Sequence, residues 1–363
     1  MMRILVATDA WHPQVNGVVQ TLSEVARAAA PLGAKLSFLS PDGFPTAPLP
    51  TYPEIRLAFP HPRAIAARLA AERADAIHVT TEGPIGIMVR RHCLKAGLPF
   101  TTSLHTRFPE YLSARLPVPE RWTWAWLRRF HNAGSGVMAA TPALAEELTR
   151  RGFREVMLWP RGVDAELFRP RPGSDLGVPR PVFLTVGRVA VEKNLDAFLS
   201  LDLPGSKVVV GDGPARADLV RRFPDAVFLG TKTNEALAAV YAAADVFVFP
   251  SKTDTFGLVL LEALASGVPV AAFPVAGPRD VIGGSAVGAL DCDLQAACLR
   301  ALTLSSGACR AFALNMSWEA SARKFLTNAM KSVPACDAVA GLGLSAHNVS
   351  QQPRPGGESI ESR

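Results

Sequence analysis

Short apolar runs alternate with amphipathic stretches along this chain, and the alternation occurs twice. Residues 3–8 are apolar without a polar alternation, the pattern of a strand buried on both faces. A polar, Gly-containing loop at 9–17 follows. Val18, Val19, Leu22, Val25, Ala26 and Ala29 then recur at helical spacing. Gly33 marks the stop of that helix. Further strands are predicted at 35–40, 76–80, 100–104, 136–140 and 156–159, with helices at 84–96 and 142–151. Thr141 ahead of Pro142 is the N-cap signal of the latter. Residues 41–62 are rich in Pro and read as a loop carrying one short strand. The pattern restarts with strands at 181–186, 207–210, 226–230, 244–249 and 268–273. Helices are expected from Leu195, at 236–243, after Gly257, and from 317 to about 330.

Strand and helix alternating in two blocks predict an α/β protein of two doubly wound domains. The 363 residues suffice for two cores of ordinary size. Residues 170–181, polar and rich in Pro, Gly and Arg, read as the interdomain linker. Beyond Ser332 the chain turns to Gly, Ser, Pro and Gln, and 333–363 reads as a disordered tail.

Candidate chemistry gathers around residues 249–270. An apolar strand ends at Pro250, a polar loop follows, and Phe256-Gly257 opens a helical run with Leu258, Leu261 and Leu264 on one face. The first amides of a helix lack intrahelical partners and suit an anionic group, so the N–H groups of Phe256, Gly257 and Leu258 are candidates for a ligand phosphate. Asp254 and Glu262 sit eight apart, one in the loop and one in the helix. They read either as hydroxyl-binding carboxylates or as an acidic cap plus a solvated Glu. Gly187-Arg188 and Lys193-Asn194 follow a strand end. A planar fork and a point charge there can clamp a diphosphate, the alternative being two solvated cations. Gly211-Asp212-Gly213-Pro214 follows another strand, and as a bare motif is ordinary turn chemistry. In the first half, Gly17 offers bare backbone at a helix start. His105 ends a strand, where open α/β sheets bind ligands; a lone His is also often structural.

Charge and cysteine content narrow the setting. The net charge is +6 with a pI near 9.3, which favours anionic partners. The five cysteines are odd in number and lack a C-x-x-C, so they read as reduced thiols of a cytosolic protein. The first apolar run is too short for a signal peptide, and no 18-residue apolar window is seen. Trp122, Trp124 and Trp126 interleave with Arg115, Arg121, Arg128 and Arg129. Trp with Arg suits an anionic membrane surface; a core helix with a basic end has the same pattern. A nucleic-acid module is not recognisable. The dinucleotide turn G-x-G-x-x-G is missing, and no His/Asp cluster has metal-ligand spacing.

Taken in order, these motifs resemble the retaining family-4 glycosyltransferases, which have the GT-B fold. Asp254 and Glu262 match the family's acidic-x7-acidic motif, with Asp where Glu is usual. Gly187-Arg188 with Lys193, and Gly211-x-Gly213-Pro214, match two more. Arg161-Gly162-Val163-Asp164 through Phe168 and Pro170 resembles a turn that usually begins with Asn, so the turn carries over and the Asn contact does not. The resemblance implies two facing Rossmann-like domains around a cleft: 1–169 on the acceptor side with 318–331 packing back on it, and 182–317 holding the nucleotide sugar. It implies that Arg188 and Lys193 stabilise the leaving diphosphate, and that Gly187, Gly211 and Gly213 line the nucleotide pocket. Glu262 would hold the ribose, Asp254 and His105 the sugar, and Gly17 would face the diphosphate or the acceptor. The expected reaction is retaining, metal-independent transfer of a hexose from a UDP-sugar or GDP-mannose to a lipid hydroxyl, on diacylglycerol or a phosphatidylinositol-type lipid. A polysaccharide or soluble acceptor is the second reading. A nucleotide-sugar epimerase on the same fold is a third, and it would need more cleft carboxylates. No cofactor beyond the co-substrate is expected. The expected site of action is the cytoplasm, with peripheral contact to an anionic membrane through 115–129.

Overall fold

The computed structural model describes residues 1–333 except 15, 50, 51, 106–117, 253 and 255. The predicted tail from 334 onward and the basic position Arg115 lie outside the described residues.

The first half runs β1 (Met2–Ala7), α1 (Gly17–Ala29), β2 (Ala34–Leu39), β3 (Thr46–Leu49), β4 (Tyr52–Ala58), α2 (Pro62–Glu72), β5 (Ala76–Val79), α3 (Pro84–Ala96), β6 (Thr101–Ser103), α4 (Glu120–His131), β7 (Gly136–Ala139), α5 (Pro142–Arg150) and β8 (Val156–Leu158). Its main sheet is parallel, in the order β2-β1-β5-β6-β7-β8. Helices on both faces explain the unalternated apolar strands. In β1, Ile4 and Val6 join one core cluster, and Leu5 and Ala7 join the one on the opposite face.

The second half runs β9 (Val182–Val186), α6 (Leu195–Leu199), β10 (Ser206–Val210), α7 (Arg216–Arg222), β11 (Val227–Phe228), α8 (Asn234–Ala242), β12 (Val246–Phe249), α9 (Leu258–Ala265), β13 (Val270–Ala272), α10 (Ala276–Ile282), β14 (Gly288–Leu290), α11 (Leu294–Ala301), α12 (Ser306–Leu314) and α13 (Trp318–Ala329). Its parallel sheet has the order β11-β10-β9-β12-β13-β14. This is the doubly wound architecture expected from the sequence, built twice. Cys93, Cys298 and Cys309 are buried free thiols, held protonated by burial.

The Pro-rich region departs from expectation. It holds an antiparallel hairpin, β3 with β4, rather than one strand, and then a helix that the pattern did not announce. In α2 only Ile65 and Leu69 are buried, so its apolar stripe is too thin to register as a period. His61 caps it, its ring nitrogen accepting from the Arg63 amide at 3.2 Å, with Pro62 in the first turn.

The chain passes between the halves twice, and the two passages lie side by side. Val163 pairs with Ser317 as a parallel bridge, and its amide donates to Met316 O at 2.9 Å. Val163 and Phe168, which the sequence reading put with the first domain, pack into the core of the second half. Conversely, Trp318, Ala322, Phe325 and Ala329 of α13 pack with Leu22, Val25 and Ala29 of α1. Arg310 of α12 clasps the crossing, donating to Phe168 O, Ala265 O and Ala165 O at 2.7, 2.8 and 2.8 Å. Gly162 permits the contact: a Cβ there would lie 2.4 Å from Trp318 N and 2.5 Å from Ser317 C. Both are backbone atoms, so Gly162→Ala has to push the two passages apart. The expected loss is about 1–3 kcal/mol of unfolding free energy, read by urea denaturation. An unchanged midpoint would mean that the crossing yields freely.

Candidate functional site

The order of the second sheet reverses between β9 and β12, so the connections from these strands leave in opposite directions. The crevice at such a switch point, outside the carboxyl ends of the strands, is where open α/β sheets take ligands. Three sequence candidates stand on the two loops that border it. Lys193 ends a short 3-10 turn after β9, and Asp254 lies in the loop after β12. Lys193 Nζ donates to both carboxylate oxygens of Asp254, at 2.7 and 2.8 Å. The two side chains are 28% and 25% exposed, so the pair adds little to stability. What it does is fix position. An ammonium has three donors, so a Lys held by Asp254 can still give a hydrogen bond to a phosphate oxygen. Asn194 secures the same loop, its Nδ2 donating to Pro250 O at 3.0 Å. Arg188, half-buried, stands on this loop next to the exposed Gly187.

Helix α9 begins at this point. Its N-cap, Gly257, supplies no side-chain bond, so the first amides remain for another acceptor. Phe256, Gly257 and Leu258 are half-buried around that opening. Gly277 at the start of α10 supports the loop from behind, since a Cβ there would stand 2.9 Å from Asp254 O. The glycines of the 211–214 turn have a visible packing role. A Cβ on Gly211 would lie 1.9 Å from Gly187 O, and one on Gly213 would lie 2.4 Å from Val189 O. The amides of Gly187 and Gly211 donate to Val210 O and Gly230 O, both at 2.9 Å. These bonds tie the loops after β9, β10 and β11 together. A Cβ on Gly187 itself would meet no atom within 4 Å, so that loop is open on the side away from the turn.

Glu262 is buried, not the solvated residue of the alternative sequence reading. Its Oε1 accepts from Gln20 Nε2 of α1 at 2.8 Å, and its Oε2 accepts from the Tyr241 hydroxyl of α8 at 2.9 Å. Burial raises its pKa, and the two hydrogen bonds pull the other way. The Gln20 bond spans the two halves. Gly17, one turn earlier on α1, faces Leu258, whose Cδ1 would be 3.8 Å from a Cβ at Gly17. The starts of α1 and α9 thus meet across the cleft. A carboxylate offers about four lone-pair sites, so a ligand hydroxyl can add to the two protein bonds of Glu262.

His105 is held by first-half residues. Its Nε2 is 2.9 Å from Ser103 Oγ, and its Nδ1 is 3.4 Å from Arg161 Nη2. A guanidinium only donates, so Nδ1 accepts and Nε2 carries the hydrogen. Ser103 Oγ also lies 3.0 Å from Nε2 of the fully buried His78, whose Nδ1 is 2.9 Å from Thr101 Oγ1. Burial, and then the Arg161 charge, pull His105 well below its usual pKa and His78 down to about 3. Both rings stand edge-on to Trp159.

The Trp segment divides as helical geometry requires. Trp124 is buried against Phe153 under the Arg151 guanidinium, while Trp122 and Trp126 are 63% and 42% exposed. Sequence reasoning missed Gln20 and Tyr241, the partners of Glu262. It also missed Asp9, which caps α3 from the loop after β1 by accepting from the amides of Ile85 and Gly86 and from Thr81 Oγ1. A signal for Asp9 existed, because Gly83-Pro84 begins α3 without a capping side chain.

Known proteins resemble this chain in sequence and in fold. The sequence description of Glycosyltransferase Family 4 matches residues 15–167, and that of Glycosyl transferases group 1 matches 180–303. A GDP-mannose-dependent alpha-mannosyltransferase of Mycobacterium tuberculosis is 31% identical over 308 residues, 77% of this chain and 81% of that one. An alpha-monoglucosyldiacylglycerol synthase of Streptococcus pneumoniae is 26% identical, over 83% of this chain and 78% of that one. Among solved structures, a sucrose-phosphate synthase of Thermosynechococcus elongatus superposes with a TM-score of 0.74 at 21% identity, over 90% and 98% of the two chains. That likeness fixes the GT-B fold.

The histidine row has a consequence for stability. A His whose folded pKa is depressed stabilises the fold above its unfolded pKa, near 6.5, and that stability is lost as pH falls. His78 and His105 each contribute a slope of about 1.4 kcal/mol per pH unit below that point. Unfolding free energy should therefore drop steadily between about pH 6.5 and 5. His78→Gln should remove about half of that slope in urea titrations. An unaltered slope in this variant would show that the row does not titrate on unfolding.

Proposed function

The chain belongs to glycosyltransferase family 4, and we propose that it moves mannose from GDP-mannose to a membrane lipid with retention at the anomeric carbon. It is a hexosyltransferase. The observation that carries the finer reading is the Lys193–Asp254 pair at the switch point, beside the uncapped start of α9. GDP-mannose is favoured by the M. tuberculosis relative, which matches over most of both chains. Support for the lipid comes from the alpha-monoglucosyldiacylglycerol synthase relative, and from Trp122 and Trp126 exposed near Arg128 and Arg129 on α4.

In this reading the diphosphate of the donor lies against Lys193, Arg188 and the first amides of α9. As the bond between the anomeric carbon and the diphosphate oxygen breaks, negative charge grows on that oxygen, and these fixed donors stabilise it without reorganising. The acceptor hydroxyl attacks from the face that the diphosphate leaves, and its proton passes to the departing oxygen. Asp254 and His105 bracket the sugar, and Glu262 takes the ribose. Protein cations thus supply the electrophilic assistance, and the scheme needs no metal ion.

Lys193→Ala should lower kcat by about 100- to 1000-fold, the usual effect of losing one transition-state donor. Wild-type turnover in that variant would remove the clamp. Purified protein given GDP-mannose, UDP-glucose, UDP-galactose or UDP-glucuronate, each radiolabelled, should move label into extracted lipid fastest from GDP-mannose. Label entering only water-soluble products would replace the lipid with a soluble acceptor. A faster UDP-sugar would replace the donor. The anomeric configuration of the product, read by NMR coupling, tests retention.

A further inference from the structure

Arg161 is 6% exposed, yet its contacts among the described residues carry no negative charge. Its Nη1 donates to Trp159 O at 2.7 Å, its Nη2 meets His105 Nδ1 at 3.4 Å, and its guanidinium carbon lies 4.3 Å from the Trp159 ring centroid. No carboxylate of the described residues pairs with it, and burial alone lowers its pKa, to about 9. His105 and His78, which the Arg161 charge acts on, are themselves held neutral. An unpaired buried cation is strongly unfavourable, and a fold keeps one where a ligand completes it. The position fits a ligand. Arg161 follows the carboxyl end of β8 and touches His105 at the carboxyl end of β6, the rim where α/β sheets bind. Its backbone is held in place, because Gly162 is wedged against Ser317 and Trp318 at the crossing. A guanidinium has five donors, so two protein bonds leave a fork able to grip a carboxylate or a phosphate.

We propose that Arg161 is the counter-ion for an anionic group, a carboxylate or a phosphate, carried by the acceptor. The acceptor site itself rests on the glycosyltransferase reading above. The donor's diphosphate has its own cations, Arg188 and Lys193, in the second half, whereas Arg161 belongs to the first.

The test compares matched acceptors within each protein, so that a general loss of activity cancels. Glucuronosyl-diacylglycerol against glucosyl-diacylglycerol isolates a carboxylate, and phosphatidylinositol against diacylglycerol isolates a phosphate. Wild type should favour the anionic member of one pair by at least about tenfold in kcat/KM, the range of a hydrogen bond to a charged group. Arg161→Gln should bring that ratio close to one, chiefly through KM. Arg161→Lys, which keeps the charge and loses the fork, should fall between. A wild-type ratio near one in both pairs, or an unchanged ratio in Arg161→Gln, overturns the proposal. Binding tests it apart from turnover. With GDP filling the donor site, glucuronate or inorganic phosphate should raise the melting temperature of the wild type more than glucose does, and should not do so in Arg161→Gln. No anion-specific rise in the wild type overturns the anion site. Turnover absent with every acceptor, together with such a rise, would count against the transferase reading and leave the anion site standing.

Discussion

The ion pair between Lys193 and Asp254 joins the two loops that the second sheet's reversal of order brings to one crevice. Its energy is small, because both groups are partly in water. Its geometry is what matters. A lysine on a flexible stem has many rotamers, and a bidentate carboxylate selects one of them before any ligand arrives. The pair depends on backbone features nearby: the turn ending at Asn194, its bond to Pro250 O, and the close approach of Gly277 to the Asp254 carbonyl. Change one of these and the cation moves, with no change in the sequence motif itself.

A second junction sets how the halves meet. Glu262 is buried and shared, with Gln20 reaching it from the first half and Tyr241 from the second. A buried carboxylate without such partners would be driven toward its neutral form. The Gln20 bond therefore links the first half to the environment of a residue lying one turn into α9. The parallel passages at Val163 and Ser317 form the other connection.

Much of this was legible in the chain. The two blocks of βα alternation gave the doubly wound sheets, since strands covered on both faces are mostly apolar without alternation. Arg188, Lys193 and Asp254 were legible because each sits a few residues past a strand end, where position along the chain fixes position in the crevice. Gln20 was not, because its bond to Glu262 joins residues 242 apart. Nothing local to Tyr241 marks it as a carboxylate partner. The β3–β4 hairpin and α2 were hidden by their prolines and a thin apolar stripe. Arg161 stood out as a departure from a motif, but its burial on Trp159 beside His105 is a tertiary fact that no local pattern encodes. The glycines at 211 and 213 were read as pocket lining, and their close approaches to Gly187 O and Val189 O add a loop-packing role that the bare motif did not announce.

A double-mutant cycle on donor turnover tests the central claim most directly: Lys193 works from a position that Asp254 sets. The variants are Lys193→Ala, Asp254→Ala and the two combined, with nucleotide release from GDP-mannose as the readout. The expected result is a coupling above about 1 kcal/mol, with the double variant less impaired than the sum of the two single losses and worse than Lys193→Ala only by what Asp254 contributes at the sugar. Losses that add independently would contradict it. They would mean that the contact between the two residues has no part in the reaction.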